Sequence, residues 1–380
     1  MFFNKLKKEG ELMYQEYISP WLDRRDSETW HNRAKDIMHA AETTPMTRFA
    51  LELVGNGGRR FTDPRLQVES AGIKFDNPLV VAAGWTPDGK ACHALYLLGF
   101  AGVTVGSVPE FGQPGNPKPR QFMIGHGVAL NRKGFANPGM KAVRRMMKRY
   151  EGSRIPIGIS IGKNKEVSDR DAPAAYARVA TYLAPLARWL VINVSSPNTP
   201  GLRNLQGKEL LTDIMWNVQG TVRQSMSRSI PIFIKIDPDM PLAAVDDVMM
   251  VAVETGAAGI IAANTTVDER IKRKYGERWA SEPGGVSGSD PDYRDKVDEK
   301  ITHIYRSVGN ELDVWGVGGI DSTASAIRKI KRGARIVKIH TGIRTLGPRV
   351  ASMINRGIAD YLTREGIARV TDLIGTDLAA

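Results

Sequence analysis

The chain has 380 residues, of which 42% are hydrophobic and 25% charged, a composition that excludes disordered, collagen-like and disulfide-stapled proteins. The single cysteine, Cys92, excludes intramolecular disulfides and thiolate-rich metal sites. The 53 Lys and Arg against 41 Asp and Glu give a net charge of +12, which is compatible with nucleic-acid binding, attraction to anionic lipid or a basic surface for anionic ligands.

The first part of the chain predicts a helical appendage. Apolar residues recur at helical spacing over 12–22 and 30–41, and turn residues at 44–45 and 55–58 end the pattern. Packing on a neighbouring domain explains such stripes, and only an uncovered apolar face would favour membrane contact. The sequence has no run of about 18 to 20 apolar residues for a transmembrane helix, and its basic N-terminal stretch lacks the continuous apolar region and the cleavage site typical of a secretory signal. We therefore expect a cytosolic chain.

From about residue 65, short apolar runs alternate with helical patterns. A hairpin is predicted at Leu66–Val68 and Ile73–Phe75. Eight strands are predicted at Leu79–Ala83, Gly102–Val105, Ile157–Ile161, Leu190–Val194, Ile232–Ile236, Gly259–Ala263, Val314–Val317 and Ile336–Ile339. Helices are predicted at Met140–Tyr150, Ala174–Ala184, Leu210–Ser225, Leu242–Glu254, Asp295–Ser307 and Thr323–Arg332. This alternation predicts an α/β fold, a (β/α)₈ TIM barrel, with a doubly wound open sheet as the alternative.

Polar or glycine-rich segments mark the C-terminal ends of five of these strands, where a barrel carries its active site. They are Asn193 with Ser195–Thr199, Lys235, Asn264-Thr265-Thr266, Gly316–Gly319 and His340-Thr341-Gly342. Gly318, Gly319 and Thr341 match the usual phosphate position, because glycines let backbone N–H groups approach a phosphate closely. Simple strand-to-helix turns are the alternative for these glycines.

Lys235 is a charged residue inside an apolar strand, where it requires an anion or a polar ligand. We interpret it as a cation beside an electron-rich cofactor ring, and the alternative is a salt bridge to Asp237 or Asp239.

Amide and hydroxyl side chains indicate the chemistry of the predicted rim. Four Asn residues suit a ring with alternating C=O and N–H groups, although a single Asn is common in turns. Ser196 lacks the His and Asp partners of a hydrolase, but a hydroxyl can take a proton when hydride leaves the adjacent carbon for a flavin. The six His residues show no metal-ligand spacing, so we expect no metal site.

The segment 193–206, Asn-Val-Ser-Ser-Pro-Asn-Thr-Pro-Gly-Leu-Arg-Asn-Leu-Gln, closely resembles the signature of class 2, membrane-associated dihydroorotate dehydrogenases. Further motifs of that family are Asn77-Pro78, Ala82-Ala83-Gly84, residues 113–120, Asn131-Arg132 with Gly134-Phe135, residues 161–165, Asn264-Thr265-Thr266, residues 284–288 and residues 316–320. The resemblance therefore spans about residues 25 to 350.

The resemblance implies an FMN-containing barrel that oxidises dihydroorotate to orotate in pyrimidine biosynthesis and passes the electrons to quinone. It implies that Ser196 is the base for the C5 proton of the dihydropyrimidine, while C6 gives hydride to N5 of FMN. The implied ring-binding residues are Asn131, Asn193, Asn198, Asn264 and Thr265. The implied FMN-binding residues are Ala83, Gly84, Ser107, Ser160, Asn193, Lys235, Ser287, Gly288, Gly318, Gly319, His340 and Thr341.

The resemblance also implies that residues 1–62 form a quinone tunnel and membrane foot, and that residues 63–380 form the FMN barrel. The expected location is the cytoplasm, peripheral on the inner face of the cell membrane. Anionic lipid would be attracted by a basic cluster set among apolar residues, namely Lys5, Lys7 and Lys8 beside Phe2, Phe3 and Leu6. We expect no nucleic-acid partner, because the sequence has no aromatic-basic platform.

The largest departure from the family pattern is Pro87. The family reads Ala-Ala-Gly-x-Asp-Lys-x-Gly, and its Lys, which contacts flavin and the substrate carboxylate, is replaced here by Pro87. Lys90, Arg344 or another cation could take over this role. Two alternatives follow: a divergent FMN oxidoreductase for another dihydropyrimidine-like ring, and a non-catalytic paralogue. Lesser departures are Ser160 for Asn, His340 for Tyr and Pro109-Glu110 for Thr-Pro.

Overall fold

The computed structural model describes residues 13–199, 201–309 and 311–378. The predictions made for Lys5, Lys7 and Lys8 and for their apolar neighbours lie outside the described residues.

Eight parallel strands form a closed barrel, in which each strand pairs with the next one along the chain. They are β1 (Leu79–Thr86), β2 (Gly102–Val108), β3 (Ile157–Ile161), β4 (Trp189–Asn193), β5 (Ile232–Lys235), β6 (Gly259–Ala262), β7 (Asp313–Val317) and β8 (Ile336–Ile339). Their Val- and Ile-rich sequences are buried because helices cover the outer face and side chains fill the interior. The predicted (β/α)₈ barrel and all eight predicted strands are confirmed.

Helices surround the barrel, and all six predicted helices are present within a few residues of their predicted bounds. The helices of the barrel region are Cys92–Leu97, Met140–Met147, Ala172–Leu183, Lys208–Ser225, Leu242–Thr255, Glu269–Arg273, Glu277–Ser281, Pro291–Val308, Thr323–Lys331, Thr341–Leu346 and Val350–Arg364. Five of them are additional to the prediction: Cys92–Leu97, Glu269–Arg273, Glu277–Ser281, Thr341–Leu346 and Val350–Arg364. Thr341–Leu346 begins directly after β8, so its first residues lie at the rim.

The bottom of the barrel is closed by an aromatic cluster. Trp189 and Trp315 lie with ring centroids 5.3 Å apart, and Phe75 and Phe233 pack on Trp315 at 5.9 and 4.2 Å. Phe75 comes from a hairpin of Val68–Ser70 and Ile73–Phe75, so the predicted first strand at Leu66–Val68 was misplaced. Leu66 instead ends a 3₁₀ turn, Pro64–Leu66, which Asp63 caps by accepting a hydrogen bond from the Arg65 amide at 2.9 Å.

Two small sheets, neither of them predicted, stand at the opposite end. Phe111–Gln113 pairs with Asn137–Gly139, and Val128–Asn131 lies between Gln121–Gly125 and Gly285–Gly288. The second sheet brings Asn131 opposite both Gln121 and Gly285. These sheets carry Asn131 and Ser287 to the barrel mouth.

The predicted N-terminal helical appendage is present. It consists of a π-helical turn, Tyr14–Ile18, and the helices α1 (Ser19–Asp23), α2 (Ser27–Ala41) and α3 (Pro45–Asn56). Helix α2 begins at a cap, Asp26, which accepts from the Thr29 amide at 2.7 Å. None of the helices in the described ranges has both the length and the apolar character needed to cross a bilayer.

Helix α2 is attached to the barrel mouth by buried polar contacts. Glu28 forms an ion pair with Arg120 at 2.7 Å, and both side chains are about nine-tenths buried. Lys35 pairs with Asp88 at 2.8 Å. A ring nitrogen of His31 lies 2.7 Å from the Trp85 carbonyl oxygen. These contacts fix α2 over the end of β1, the turn that follows it and the loop that carries Arg120.

The appendage also carries an uncovered apolar surface. Nine of the thirteen large hydrophobic side chains that are exposed in the described residues belong to it: Met13, Tyr17, Ile18, Trp21, Ile37, Met46, Phe49, Leu53 and Val54. Met46 and Ile37 are 79% and 69% exposed. Patches of this kind mark sites of interaction with a membrane or another protein.

Candidate active site

A cavity at the C-terminal mouth of the barrel brings together almost all of the predicted site residues. Its wall includes Ala83, Gly84, Ser107, Asn131, Asn193, Ser196, Asn198, Lys235, Asn264, Thr265, Ser287, Gly288, Gly318, Gly319, His340 and Thr341. Ser160 lies behind this wall, fully buried, with its Oγ 2.7 Å from Ser107 Oγ. The rim predicted from the strand ends therefore exists as one site.

A network of amides and hydroxyls orders one side of the cavity. Asn193 donates from Nδ2 to Ser107 Oγ at 2.6 Å, and its Oδ1 accepts from Ser195 Oγ at 3.1 Å. Ser195 Oγ in turn accepts from Asn264 Nδ2 at 3.1 Å. Across the cavity, Asn198 Nδ2 donates to Asn131 Oδ1 at 3.4 Å. The four Asn side chains are thus held in fixed orientations that can present both donors and acceptors to a ring.

Ser196 is buried on this wall, with 6% of its surface exposed. Its Oγ accepts a hydrogen bond from the backbone N–H of Asn198 at 3.3 Å, and it has no histidine or carboxylate partner in the described ranges. Nearby, the Thr265 hydroxyl is buried without any hydrogen-bond partner. A buried hydroxyl without a partner is costly, so Thr265 fits a site that a polar ligand completes.

Lys235 does not form the salt bridge that was its alternative explanation. Asp237 is bound by Gln206 Nε2 at 3.0 Å and by Arg203 at 3.3 Å, whereas Asp239 pairs with Lys296 at 3.1 Å. Lys235 lies opposite Asn193 in the register of β5 and β4, and it lines the cavity. Burial lowers the pKa of its ammonium to about 8. Its environment is that of a cation with room for a ligand.

Glycines form the phosphate end of the cavity. Gly318 has a φ of +115°, and a Cβ added there would lie 2.4 Å from Tyr293 Oη. The hydroxyls of Ser287 and Thr341 meet 3.0 Å apart across the same end. Ser322 caps the following helix, Thr323–Lys331, by accepting from the Ser325 amide. Close backbone approach, two hydroxyls and a helix N-terminus are the groups that bind a phosphate.

These residues fit FMN. The glycine end suits its phosphate, and Lys235 beside Asn193 suits the electron-rich edge of its ring. The described residues contain no cluster of three or more His, Cys, Asp or Glu side chains able to hold a metal ion.

Two histidines lie on the side of the cavity that faces the appendage. The rings of His31, from α2, and His340 are stacked with centroids 6.4 Å apart. Burial, reinforced by the nearby Lys133, lowers the pKa of His340 to about 4 and that of His31 well below its ordinary value. Both rings are therefore neutral at pH 7.

Several cavity residues are absent from the sequence prediction, among them His31, Lys133 and Lys338, whereas Arg344, named as a possible substitute for the family Lys, does line the cavity. Lys338 gave the same signal as Lys235, a charge inside an apolar strand. Its Nζ donates to Thr104 Oγ1 at 2.7 Å and lies 4.8 Å from the Trp315 ring centroid. Lys133 lies inside the family motif formed by Asn131-Arg132 and Gly134-Phe135. His31 gave no signal beyond its helix.

Comparisons with known proteins agree with this architecture. The family model described as dihydroorotate dehydrogenase matches residues 65–362. The dihydroorotate dehydrogenase (quinone) of Natronomonas pharaonis is 37% identical over 369 residues, which are 96% of this chain and 99% of the relative. That of Roseiflexus castenholzii is 37% identical over 366 residues, covering 96% and 97%.

Solved structures give the same result. The dihydroorotate dehydrogenase of Eimeria tenella in complex with ferulenol is similar to this chain with a TM-score of 0.82 and 27% identity, over 93% of this chain and 96% of that one. The ligand-free enzyme of the same organism has a TM-score of 0.79 and 28% identity, over 89% and 100%.

Proposed function

Because the chain belongs to the class 2, quinone-dependent dihydroorotate dehydrogenase family, we propose that it oxidises dihydroorotate to orotate with FMN and passes the electrons to a quinone. The observation that carries the proposal is the meeting of Ser196, four ordered Asn side chains and Lys235 in one cavity. Each of these groups has a role in dihydropyrimidine oxidation.

The amides bind and orient the pyrimidine ring. Asn131, Asn193, Asn198 and Asn264 can pair with its alternating C=O and N–H groups, and the free hydroxyl of Thr265 offers a further hydrogen bond. Because Asn131 and Asn198 hold each other, and Ser195 holds Asn193 and Asn264, little freedom is lost when the ring binds.

Ser196 removes a proton from C5 of the ring through its Oγ. A neutral hydroxyl is a weak base, so proton removal depends on the departure of hydride from the adjacent C6. Bound FMN supplies the acceptor for that hydride. The Asn198 amide holds Ser196 Oγ in position at 3.3 Å, and the buried setting excludes bulk water from the reacting carbons.

The cofactor is held at both ends by residues of the barrel. Gly318, Gly319, Ser287, Gly288 and Thr341 bind the phosphate. The ring is contacted by Ala83, Gly84, Ser107, Lys235 and His340, with Ser160 acting through Ser107. A cation at Lys235 favours the electron-rich, reduced ring.

Residues 1–62 form a unit for quinone and membrane contact, and residues 63–380 form the FMN barrel. The uncovered apolar side chains of α2 and α3 support this division, as does the entry of His31 into the cavity wall. The proposed location is the cytoplasmic face of the cell membrane, in peripheral contact with anionic lipid that the net charge of +12 attracts.

Pro87 is the one observation in favour of a second function. Without a Lys at this position, a dihydropyrimidine-like ring that lacks a carboxylate would be the preferred substrate of an otherwise similar FMN enzyme. If the chain were a non-catalytic paralogue, the ordered amide side chains and Ser196 would have no role in substrate binding or catalysis.

The proposed function is tested with the purified full-length protein. We expect a yellow protein whose flavin band bleaches when dihydroorotate is added anaerobically, and which turns over with dihydroorotate and a quinone. A bound flavin that stays oxidised at millimolar dihydroorotate would contradict the proposal. Bleaching by dihydrouracil alone would support the second substrate, and no bleaching by either compound would support the paralogue.

A further inference from the structure

We propose that Lys133 is the residue that binds the substrate carboxylate, taking over the role of the family Lys whose position Pro87 occupies. This inference rests on the proposed function, because it assumes that the ring carries a carboxylate. It assigns a substrate-specificity role to a residue outside the family's carboxylate-binding position.

Of the cavity-lining cations, Lys133 and Lys235 have no side-chain partner among the described residues, and Lys133 is the one that faces helix α2 of the appendage. Lys338 donates to Thr104, and the terminal nitrogens of Arg344 contact Ser27, the Leu22 carbonyl at 2.9 Å and Asp23 at 3.1 Å. The ammonium of Lys133 has no hydrogen bond or ion pair to any described residue. It is therefore available to a ligand.

Lys133 belongs to the same end of the cavity as Pro87. It interacts electrostatically with Lys35 and His31 of α2. Lys35 pairs with Asp88, the neighbour of Pro87, and His31 contacts the Trp85 carbonyl oxygen two residues before it. Lys133 also follows the ring-binding residue Asn131 by two positions. One segment thus carries an amide for the ring and a cation for its substituent.

The charges around Lys133 leave it uncompensated. Glu28 faces it from α2, but both carboxylate oxygens of Glu28 accept from Arg120, at 2.7 to 3.1 Å. The other groups that face Lys133 are Arg120, which is paired with Glu28, Lys35, which is paired with Asp88, and the neutral His31 and His340. Burial lowers the pKa of Lys133 to about 8. A carboxylate beside it would complete the pair.

The other cation considered for this role is directed elsewhere. Lys90 pairs with Asp36 of α2 at 2.7 Å, and this pair is partly exposed outside the cavity wall. Pro87 itself offers only a carbonyl, which accepts from Asn137 Nδ2 at 2.6 Å. Lys90 is therefore a matched control for the loss of one positive charge near the site.

The test compares orotate with uracil, the same ring without the carboxylate, by the change that each causes in the absorbance of the bound flavin. Lys133→Met should weaken orotate by about 30-fold or more and uracil by less than about 3-fold. Lys133→Arg should retain most of the orotate affinity, and Lys90→Met should alter neither ligand. The double variant Lys133→Met with Pro87→Lys should recover orotate binding, because the cation returns from the family position.

The outcomes separate this inference from the proposed function. If the wild-type protein binds orotate but Lys133→Met does not change its dissociation constant, the role of Lys133 is wrong and the function stands. Equal weakening of orotate and uracil would show a structural effect, and a change in quinone KM alone would assign Lys133 to the acceptor. Both results would overturn the inference. A wild-type protein that neither binds orotate nor is reduced by dihydroorotate would overturn both proposals.

Discussion

Ser196 takes its proposed role from position rather than from an activating partner. Its Oγ meets only the Asn198 amide among the described residues, at 3.3 Å. We expect Ser196→Ala to lower the rate of flavin reduction by dihydroorotate by about 10²- to 10⁴-fold, because the C5 proton loses its acceptor. Stopped-flow absorbance measures this rate, with FMN content and orotate affinity as controls that should not change. Unaltered reduction kinetics would remove Ser196 from the mechanism.

His340 predicts a pH dependence of stability. Its folded pKa of about 4 lies below the unfolded value near 6.5, so the unfolded chain binds more protons between these values. Stability is therefore lost as pH falls from 6.5 toward 4, by about 2 kcal/mol at pH 5 from this residue. Urea unfolding of the FMN-bound protein at pH 7 and pH 5 should show a smaller difference for His340→Gln than for wild type. Equal differences would contradict the low pKa.

An individual site residue could be predicted from the sequence where its type conflicts with its immediate neighbours, as a charged residue does inside an apolar strand. Lys235 is such a residue, since a charge in a run of Ile and Phe requires a reason. Lys133 carries no such contradiction, because a Lys in a loop is ordinary. Its significance depends on the ion pairs that the neighbouring charged residues form, because Glu28 is paired with Arg120 and Lys35 with Asp88. Such pairings arise between segments about 90 and 50 residues apart and leave no local pattern.

At the scale of elements, the turn after β7 requires glycine at position 318 because of its backbone conformation and its close neighbour Tyr293. Gly318→Ala would place a methyl group 2.4 Å from Tyr293 Oη, at a φ of +115° that Ala disfavours. Since Tyr293 Oη also donates to the Asn264 carbonyl at 2.9 Å, the change disturbs both the phosphate end and the ring site. We expect FMN affinity to fall by about 10-fold or more, measured by flavin release on dilution.

The matched control for this prediction is Gly220→Ala. Gly220 lies inside the helix Lys208–Ser225, and a Cβ added there has no neighbour within 4 Å. We expect this substitution to leave FMN binding unchanged and to stabilise the helix slightly. If Gly318→Ala retains FMN as Gly220→Ala does, the glycine end does not bind the phosphate.

Deeply buried elements were predicted correctly from the sequence, and partly exposed short strands were not. The barrel strands have continuous apolar runs because both of their faces are covered, and their centres were predicted correctly. The strands at the mouth, such as Phe111–Gln113 and Asn137–Gly139, have three residues each and are partly exposed. Their pairing is set by the loops that they close, so the sequence shows neither alternation nor an apolar run there.

At the scale of the whole molecule, most of the exposed large hydrophobic side chains in the described residues lie on the appendage. We expect the protein to bind vesicles that contain anionic lipid, and the double variant Met46→Ser with Phe49→Ser to reduce the bound fraction several-fold. Both side chains belong to α3 and are more than half exposed. Vesicle co-sedimentation measures binding, and turnover with a water-soluble acceptor should be unchanged.

The control for vesicle binding is a pair of exposed hydrophobic residues on the barrel. Trp216 and Met250 are 47% and 48% exposed, on the helices Lys208–Ser225 and Leu242–Thr255. Changing both to Ser should not affect vesicle binding. An equal loss from the two double variants would mean that lipid contact is not confined to the appendage.

The attachment of the appendage gives the chain an unusual order of events during its synthesis. Helix α3 meets an early partner, since Asn56 donates to the Leu97 carbonyl 41 residues later. The π-helical turn and α1 wait much longer, because their hydrogen bonds to the barrel are made with Arg344, which follows Asp23 by 321 residues and Tyr14 by 330. At a translation rate of about 5 to 20 residues per second this delay is roughly 15 to 65 s. The π-helical turn and α1 are thus synthesised long before their barrel partner, and lipid or a chaperone can reach them before the barrel does.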